Sequence, residues 1–429
     1  MSKQRNNIPR RRFREFVDAP AWEQRELGEI GNTYNGLSGK TKKDFGHGDA
    51  QYITYLNVYQ NDAINPNQVE KTPLDPKQNK VKKGDIFFTT SSEVPEEVGM
   101  ASVLHKNLKN TYLNSFCFGF RTFGTWHLSF MSSILQSEFF RKQVVLLAQG
   151  ISRFNISKKK MMEVSLTFPS YKEQKQIGAF FTILDNLITL HQRKLDKLEK
   201  LKESYLDKLF PKEGEDVPEL RFSGFTDPWE QREFADTFNF ISNNSLSRAN
   251  LTDTKQEIKN IHYGDILIKY SELVEGNLHS IPFIRKEVPK KQINKDFLRK
   301  GDIIFADAAE DETVGKCIEI KSVGKHPIVS GLHTIAVRSM IKFESGFLGY
   351  YLNSNSFHGQ LIRLMQGTKI PSVSKKHISN TYLRYPKNLK EQEQIATFLK
   401  TMTNTIALHQ RKLEKLEKIK EAFLSEMFV

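Results

Sequence analysis

Apolar residues recur at steps of three and four in two long stretches that contain neither Gly nor Pro, 179–210 and 395–428. In the first they fall at Leu184, Ile188, Leu195, Leu198, Tyr205 and Leu209, with His191 filling the position between. In the second they fall at Met402, Ile406, Leu413, Leu416, Phe423 and Met427, with His409 in the matching place. This spacing, on a background rich in Leu, Lys, Glu and Gln, predicts two amphipathic helices with a seam close to a heptad repeat. Lys202 and Lys420 interrupt both seams at one equivalent point, beside Leu201 and Ile419.

The two stretches are copies. Leu190-His191-Gln192-Arg193-Lys194-Leu195 returns letter for letter as Leu408-His409-Gln410-Arg411-Lys412-Leu413. Glu173–Phe210 aligns without a gap on Glu391–Phe428, with roughly half the positions identical. A period of about 218 residues is far longer than any solenoid unit, so a whole domain with its helix has been duplicated. A solvated amphipathic helix packed on its own domain would explain one such stripe. Two near-identical stripes in one chain favour packing against each other.

Shorter phrases repeat in the same order. Arg12-Phe13-Arg14-Glu15-Phe16 followed by Trp22-Glu23-Gln24-Arg25-Glu26 returns as Arg221-Phe222-Ser223-Gly224-Phe225 followed by Trp229-Glu230-Gln231-Arg232-Glu233. Their aromatic residues are expected to anchor an extended lead-in. Lys83-Gly84-Asp85-Ile86 and Lys300-Gly301-Asp302-Ile303 read as tight turns running into buried strands, Gly supplying a positive φ and Asp bonding nearby amides. Tyr263-Gly264-Asp265-Ile266-Leu267-Ile268 reads as a further copy of that device, and Gln51–Tyr59 as a strand. Residues 127–147 and 347–365 are expected as matching helices. Each is followed by Gln-Gly and Ser-Lys-Lys (Ser157-Lys158-Lys159, Ser374-Lys375-Lys376) and by a strand ending at Pro169 or Pro386. The segments between these phrases differ greatly. The resulting division is a lead-in over 1–21, a globular half over 22–172, a helix over 173–210, a polar linker over 211–220, a second globular half over 221–390 and a second helix over 391–429. The fold class is α+β, two domains of mixed, β-rich fold each followed by a long helix.

A net charge of +14 favours a polyanionic partner. Cys117 and Cys317 are the only cysteines, too far apart for a disulfide framework or zinc spacing. Arg10, Arg11, Arg12 and Arg14 precede no apolar run, so a signal peptide is not expected. With no run of eighteen apolar residues, a soluble, cytoplasmic protein without a membrane partner is expected.

No phosphate-cradling Gly-x-x-x-x-Gly-Lys-Ser/Thr loop, dinucleotide fingerprint or Asn-Pro-Pro-aromatic methyltransferase motif is present. Asp302 with Glu319-Ile320-Lys321 matches the Asp…Glu-x-Lys pattern of Mg²⁺-dependent nucleases, two carboxylates for the metal and a Lys for the water. The duplication argues against that alternative, since the aligned 99–105 carries no acid. The basic, Asn- and Ser-bearing loops are better candidates, because Lys and Arg neutralise phosphates and Asn, Ser and Arg can read base edges. In the first half these residues are Asn35, Ser38, Lys40, Lys42, Lys43, Arg153, Lys158 and Lys159. In the second they are Asn243, Asn244, Ser245, Ser247, Arg248, Lys369, Lys375 and Lys376. A coiled-coil scaffold with incidental basic charge is the remaining reading.

Order, duplication and spacing together make the chain resemble the specificity subunit of type I restriction-modification enzymes over essentially its whole length. The resemblance implies two target recognition domains, each reading one part of a split site on double-stranded DNA. It implies long helices packed as an antiparallel coiled coil with pseudo-two-fold symmetry, docking two methyltransferase (modification) subunits and assembling with motor/nuclease (restriction) subunits. S-adenosylmethionine, ATP and Mg²⁺ would then be used by those partners, with no cofactor or metal on this chain. About 37 helical residues at ~1.5 Å each would give a spacer of roughly 55 Å, and unlike halves would make the site asymmetric.

Overall fold

A computed structural model describes residues 7–293, 296–365 and 371–429. The chain forms two compact units, one running through Gln192 and taking up Gln410–Val429, the other Arg193–His409. Both cuts fall inside the long helices, Tyr171–Lys208 and Leu389–Glu426, so each unit holds the first part of one helix and the last part of the other.

In the first unit, Glu23–Glu26 pairs antiparallel with Ser165–Phe168, closing the domain with the strand that feeds the long helix. A four-stranded antiparallel sheet runs in the order Gly31–Asn35, Cys117–Thr122, Ile86–Thr89, Ala101–Val103. A three-stranded sheet places Ala50–Ile53 between Val69–Thr72 and Thr111–Leu113. The central strand alternates between two cores, as period-two geometry requires. Ile86 and Phe88 face the helices around Phe130 and Phe140, while Phe87 faces Ile53, Val58 and Leu113.

The second unit repeats the plan. Glu230–Glu233 pairs with Tyr382–Tyr385. Phe238–Ile241, Thr334–Ser339, Ile303–Ala306 and Cys317–Ser322 form the equivalent sheet, extended by a parallel strand, Leu273–Glu275. Ile303 and Phe305 face one core, Ile304 and Ala306 the other. The Gly-Asp turns are as expected: Gly84 and Gly301 have φ of 91° and 87°, and Asp85 and Asp302 accept from the amides of Lys82 (2.7 Å) and Arg299 (2.6 Å).

Three expectations need correction. Ala50–Ile53 is a strand, but Tyr55–Gln60 is a helix, because the Thr54 hydroxyl caps it by accepting from the Asn57 amide at 3.2 Å. Tyr263–Ile268 is the equivalent helix, not a turn into a strand, and starts where the His262 ring accepts from the Gly264 amide at 3.3 Å. The long closing helices are each broken in two, Leu128–Ile134 then Glu138–Leu147, and Phe347–Tyr351 then Asn355–Leu364. Buried Ser137 and Ser354 stand at both breaks, their hydroxyls bonded back to the Ile134 and Tyr351 carbonyls.

Within each unit the two long helices run head to tail. In the first, Phe180 meets Phe423 (4.8 Å between ring centroids) and Asp185 meets Lys420 (2.8 Å), one index rising as the other falls. In the second, Tyr205 meets Phe398 at 4.9 Å. The seam lies inward. Leu184, Leu195, His409 and Leu413 are buried, and Ile188, His191, Leu198, Met402, Ile406 and Leu416 are half-buried. The lead-ins dock on the helix starts, Phe13 on Phe180 and Phe222 on Phe398. Arg12 and Arg221 there grip the buried carboxylates of Glu173 and Glu391 with two bonds each, at 2.7 to 2.9 Å.

Candidate nucleic-acid interface

The first candidate loop leaves strand Gly31–Asn35 and enters a single 3₁₀ turn, Lys42–Asp44, closed by a capping box between Thr41 and Asp44. Its counterpart leaves Phe238–Ile241 and enters the 3₁₀ turn Arg248–Asn250, closed the same way by Ser247 and Asn250. Lys42 and Arg248 therefore hold the same position of the same turn. Asn35, Ser38, Lys42, Lys43, Asn243, Ser245, Ser247 and Arg248 are exposed. Lys40 is tied to Asp75 at 2.7 Å, and its ammonium hydrogen bond is the main reason the Asp75 carboxyl is held down at about 2. Arg248 reaches Asp265 at 2.5 Å, so part of its charge is answered within the fold.

Asn244 differs from the expectation. Its side chain is buried, donating to Asn260 Oδ1 (2.8 Å) and the Ser330 carbonyl (3.1 Å) while accepting from the Leu246 amide (3.0 Å). Breaking such buried bonds costs about 1–3 kcal/mol each, so Asn244 braces the loop and its neighbours face outward.

The closing segments supply a second basic edge in each half. Exposed Arg153 bonds Ser91 Oγ at 3.2 Å. Ser157 caps the short helix Lys158–Met162 and Ser374 caps Lys375–Ser379, so both Lys-Lys pairs occupy a first helical turn. Cations there work against the backbone dipole. Lys158 also bonds Asn35 Oδ1, tying the closing segment to the first loop. Lys375 stands 5.5 Å over the Phe240 ring, while Lys159 and Lys376 are exposed. Lys369 lies outside the described residues. Two further exposed side chains lie on these edges and align at the spacing of the duplicated Gly-Asp turns: Phe116, which the sequence reading passes over, and His333, which it takes as one of several scattered, structural histidines (His47, His262, His279, His333) outside any metal-ligand spacing.

The nuclease alternative is overturned by how its three residues are used. Asp302 is spent on Arg338, which donates to it at 2.8 and 2.7 Å, as Arg121 does to Asp85. Glu319 is buried and accepts from the Gly346 (2.7 Å) and Gly349 (3.0 Å) amides. Burial pushes its carboxyl up to about 7, against those two bonds. Lys321 pairs with Glu275. These side chains brace a sheet and a helix start, and among the described residues no three His, Cys, Asp or Glu gather to hold a metal.

The seam lysines join helix to domain. Lys420 reaches Asp62 (2.9 Å) and Asp185 (2.8 Å) in the first unit, and Lys202 reaches Glu272 (2.5 Å) in the second. Burial opposes the Lys420 charge, but the two carboxylates outweigh it and its pKa rises. Nearby lies a cleft of about 1180 Å³ whose walls carry Asp62, Glu138, Asp185, Glu417 and Glu421 against Lys418 and Lys420, so acids outnumber cations there. No described helix is long and apolar enough to cross a membrane.

Comparison with known proteins adds three findings. The family described as the type I restriction modification DNA specificity domain matches residues 20–200 and 226–418. Among relatives, the type I restriction enzyme MjaVIII specificity subunit of Methanocaldococcus jannaschii is 24% identical over 306 residues, covering 69% of this chain and 68% of its own. The putative MjaX specificity subunit of the same organism is 22% identical over 423 residues, covering 94% and 92%. Among solved structures, the type I restriction-modification S subunit from M. genitalium superposes with a TM-score of 0.61 at 15% identity, covering 98% of this chain and 99% of that one.

Proposed function

Because the chain belongs to the type I restriction-modification DNA specificity family, we propose that each globular half reads one part of an asymmetric, bipartite site on double-stranded DNA. The chain is the specificity subunit of such a system. Its task is recognition, and methyl transfer, translocation and cleavage fall to partner chains.

One observation carries the reading. The same loop frame is built twice, 3₁₀ turn, capping box and capped Lys-Lys helix, and is dressed with unlike side chains. Repeated cations (Lys42 and Arg248, Lys159 and Lys376) suit phosphates, which are the same everywhere on a duplex. Unlike neighbours (Lys43 against Ala249 in the matching turn, Gly39 against Ser245 two places before its cap) suit two different base sequences.

The long helices set the distance between the half-sites and dock two modification subunits, and motor/nuclease subunits join that complex. Support for docking comes from exposed Ile183, Leu187 and Leu190, spaced four and three apart on the first helix, where apolar side chains gain by being covered. S-adenosylmethionine, ATP and Mg²⁺ serve those partner chains, and the complex works in the cytoplasm. Inserting a few residues near Leu198 and mapping methylated bases tests the reading. The gap between half-sites should change while both half-site sequences stay the same. An unchanged gap would overturn the spacer role.

A further inference from the structure

The tips of two equivalent loops, one in each half, are held by the same three-part backbone clamp. In the first half, the Phe116 carbonyl accepts from the Thr90 amide at 3.2 Å, and the Thr90 carbonyl accepts from the Ile156 amide at 3.0 Å. In the second, the His333 carbonyl accepts from the Asp307 amide at 3.1 Å, and the Asp307 carbonyl accepts from the Val373 amide at 2.8 Å. Each clamp ties the tip to the end of the central strand and then to the closing segment. The next pairing along repeats too, Ser91 with Asn155 and Ala308 with Ser372. Arg153, bonded to Ser91, places a cation one residue from the first clamp.

What the clamps present is unlike. Phe116 is 61% exposed, an aromatic ring with no core around it. The His333 side chain is 51% exposed, and its Nδ1 lies 3.1 Å from Asp307 Oδ1. That contact turns the ring and leaves Nε2 for an outside partner. His333 is also one of only two non-glycine residues with positive φ among the described residues, at 54°. A left-handed backbone at a non-glycine residue is held against a cost, which is most often found at functional positions. Neither side chain lies within a core, although the His333 ring also packs edge-on against Tyr263 at 5.2 Å.

We infer that Phe116 and His333 are base-reading residues, one for each half of the DNA site, presented by a common clamp to the groove beside the basic edge. This rests on the recognition role proposed above and deepens it. Phe116 carries no hydrogen-bonding group, so it reads by apolar contact, the thymine methyl being the group such a ring can tell from the other bases. His333 reads by hydrogen bonding through Nε2. The Asp307 contact holds the ring in orientation, as the partner of a reading histidine must.

The test uses the full chain assembled with its modification subunits and a DNA pool randomised in both half-sites, with methylated products sequenced. Phe116→Ala should relax one or two adjacent base pairs in one half-site, lowering discrimination there on the order of 10- to 100-fold, and leave the other half-site alone. His333→Gly, which tolerates the left-handed φ, should do the same in the other half-site only. Unchanged preferences in both half-sites would overturn the assignment, as would an even loss of affinity for all sequences. Lys159→Ala and Lys376→Ala are the companion variants, expected to weaken binding to every sequence and to flatten its salt dependence. If they do not, the basic edges do not face DNA and the underlying reading fails. If they do and the tip variants change nothing, only the tip assignment fails.

Discussion

Trp22 and Trp229 occupy the same point of the two halves, and their indole nitrogens meet different fates. Trp229 Nε1 donates to Glu391 at 3.2 Å, joining the Arg221 grip on that carboxylate. Trp22 Nε1 is buried with no partner among the described residues, although Arg12 grips Glu173 in the same way. The apolar part of the anchor is alike on both sides, 3% and 4% exposed. Its polar part has been completed on one side only. After a duplication, packing that excludes water constrains both copies, whereas one hydrogen bond, worth about a kcal/mol net, can be lost from either.

The largest expected effect probes that pair. Removing one partner of a buried ion pair leaves an uncompensated charge and costs about 3–5 kcal/mol. Glu391→Ala, which strands both Arg221 and Trp229, should destabilise its unit more than Glu173→Ala does the other. Hydrogen exchange followed separately in the two units would measure both, since a chain of two units need not unfold in one step. Equal losses would mean that the indole bond contributes nothing.

Next in size is a pH effect confined to the second unit. Glu319 has its folded pKa raised by burial to about 7, above the ~4.3 of an unfolded chain. Between those values the folded state holds the extra proton, so stability falls as pH rises through the window and levels off above it. The fall should be on the order of 3–4 kcal/mol, and Glu319→Gln should flatten it. The first unit has Ser102 at the aligned place, so Glu319→Gln should leave its pH profile unchanged. A pH-independent second unit would remove the difference.

The smallest effect returns to the indoles. Trp229→Phe should cost about 1–2 kcal/mol more than Trp22→Phe, the worth of one hydrogen bond to a charged group. A reversed order in thermal melts would show that the Trp22 nitrogen has a partner after all.

The repeat made much of this architecture readable in advance. Leu184, Leu195, Leu413 and their neighbours predict the helices, and the paired segments ending at Pro169 and Pro386 predict the closing strands. Local capping was harder to see. Thr54 and Ser137 each redirect the chain with one hydroxyl, and neither changes the apolar pattern that periodicity detects. The partners of Lys420 and Lys202 were hidden for another reason. Asp62 and Glu272 come from segments that do not align, yet each precedes a stretch running parallel to the same sheet edge, Ala63 beside Val103 and Val274 beside Ile320. The two copies solved one electrostatic problem separately. At the interface, basic character was legible from composition. Asn244 was not, because inward and outward Asn look alike in a loop. Phe116, and a role for His333 beyond that of a lone structural histidine, became visible only through the carbonyls that clamp them.

Phe428 stacks on Phe181 and packs edge-on against Trp22, within the core that Phe130 and Phe168 help form. Some 400 residues of chain separate Trp22 from that ring. At ~5–20 residues per second, a ribosome needs roughly 20–80 s to deliver it. The interior of this unit therefore cannot close until a ring some 400 positions further along the chain has been made.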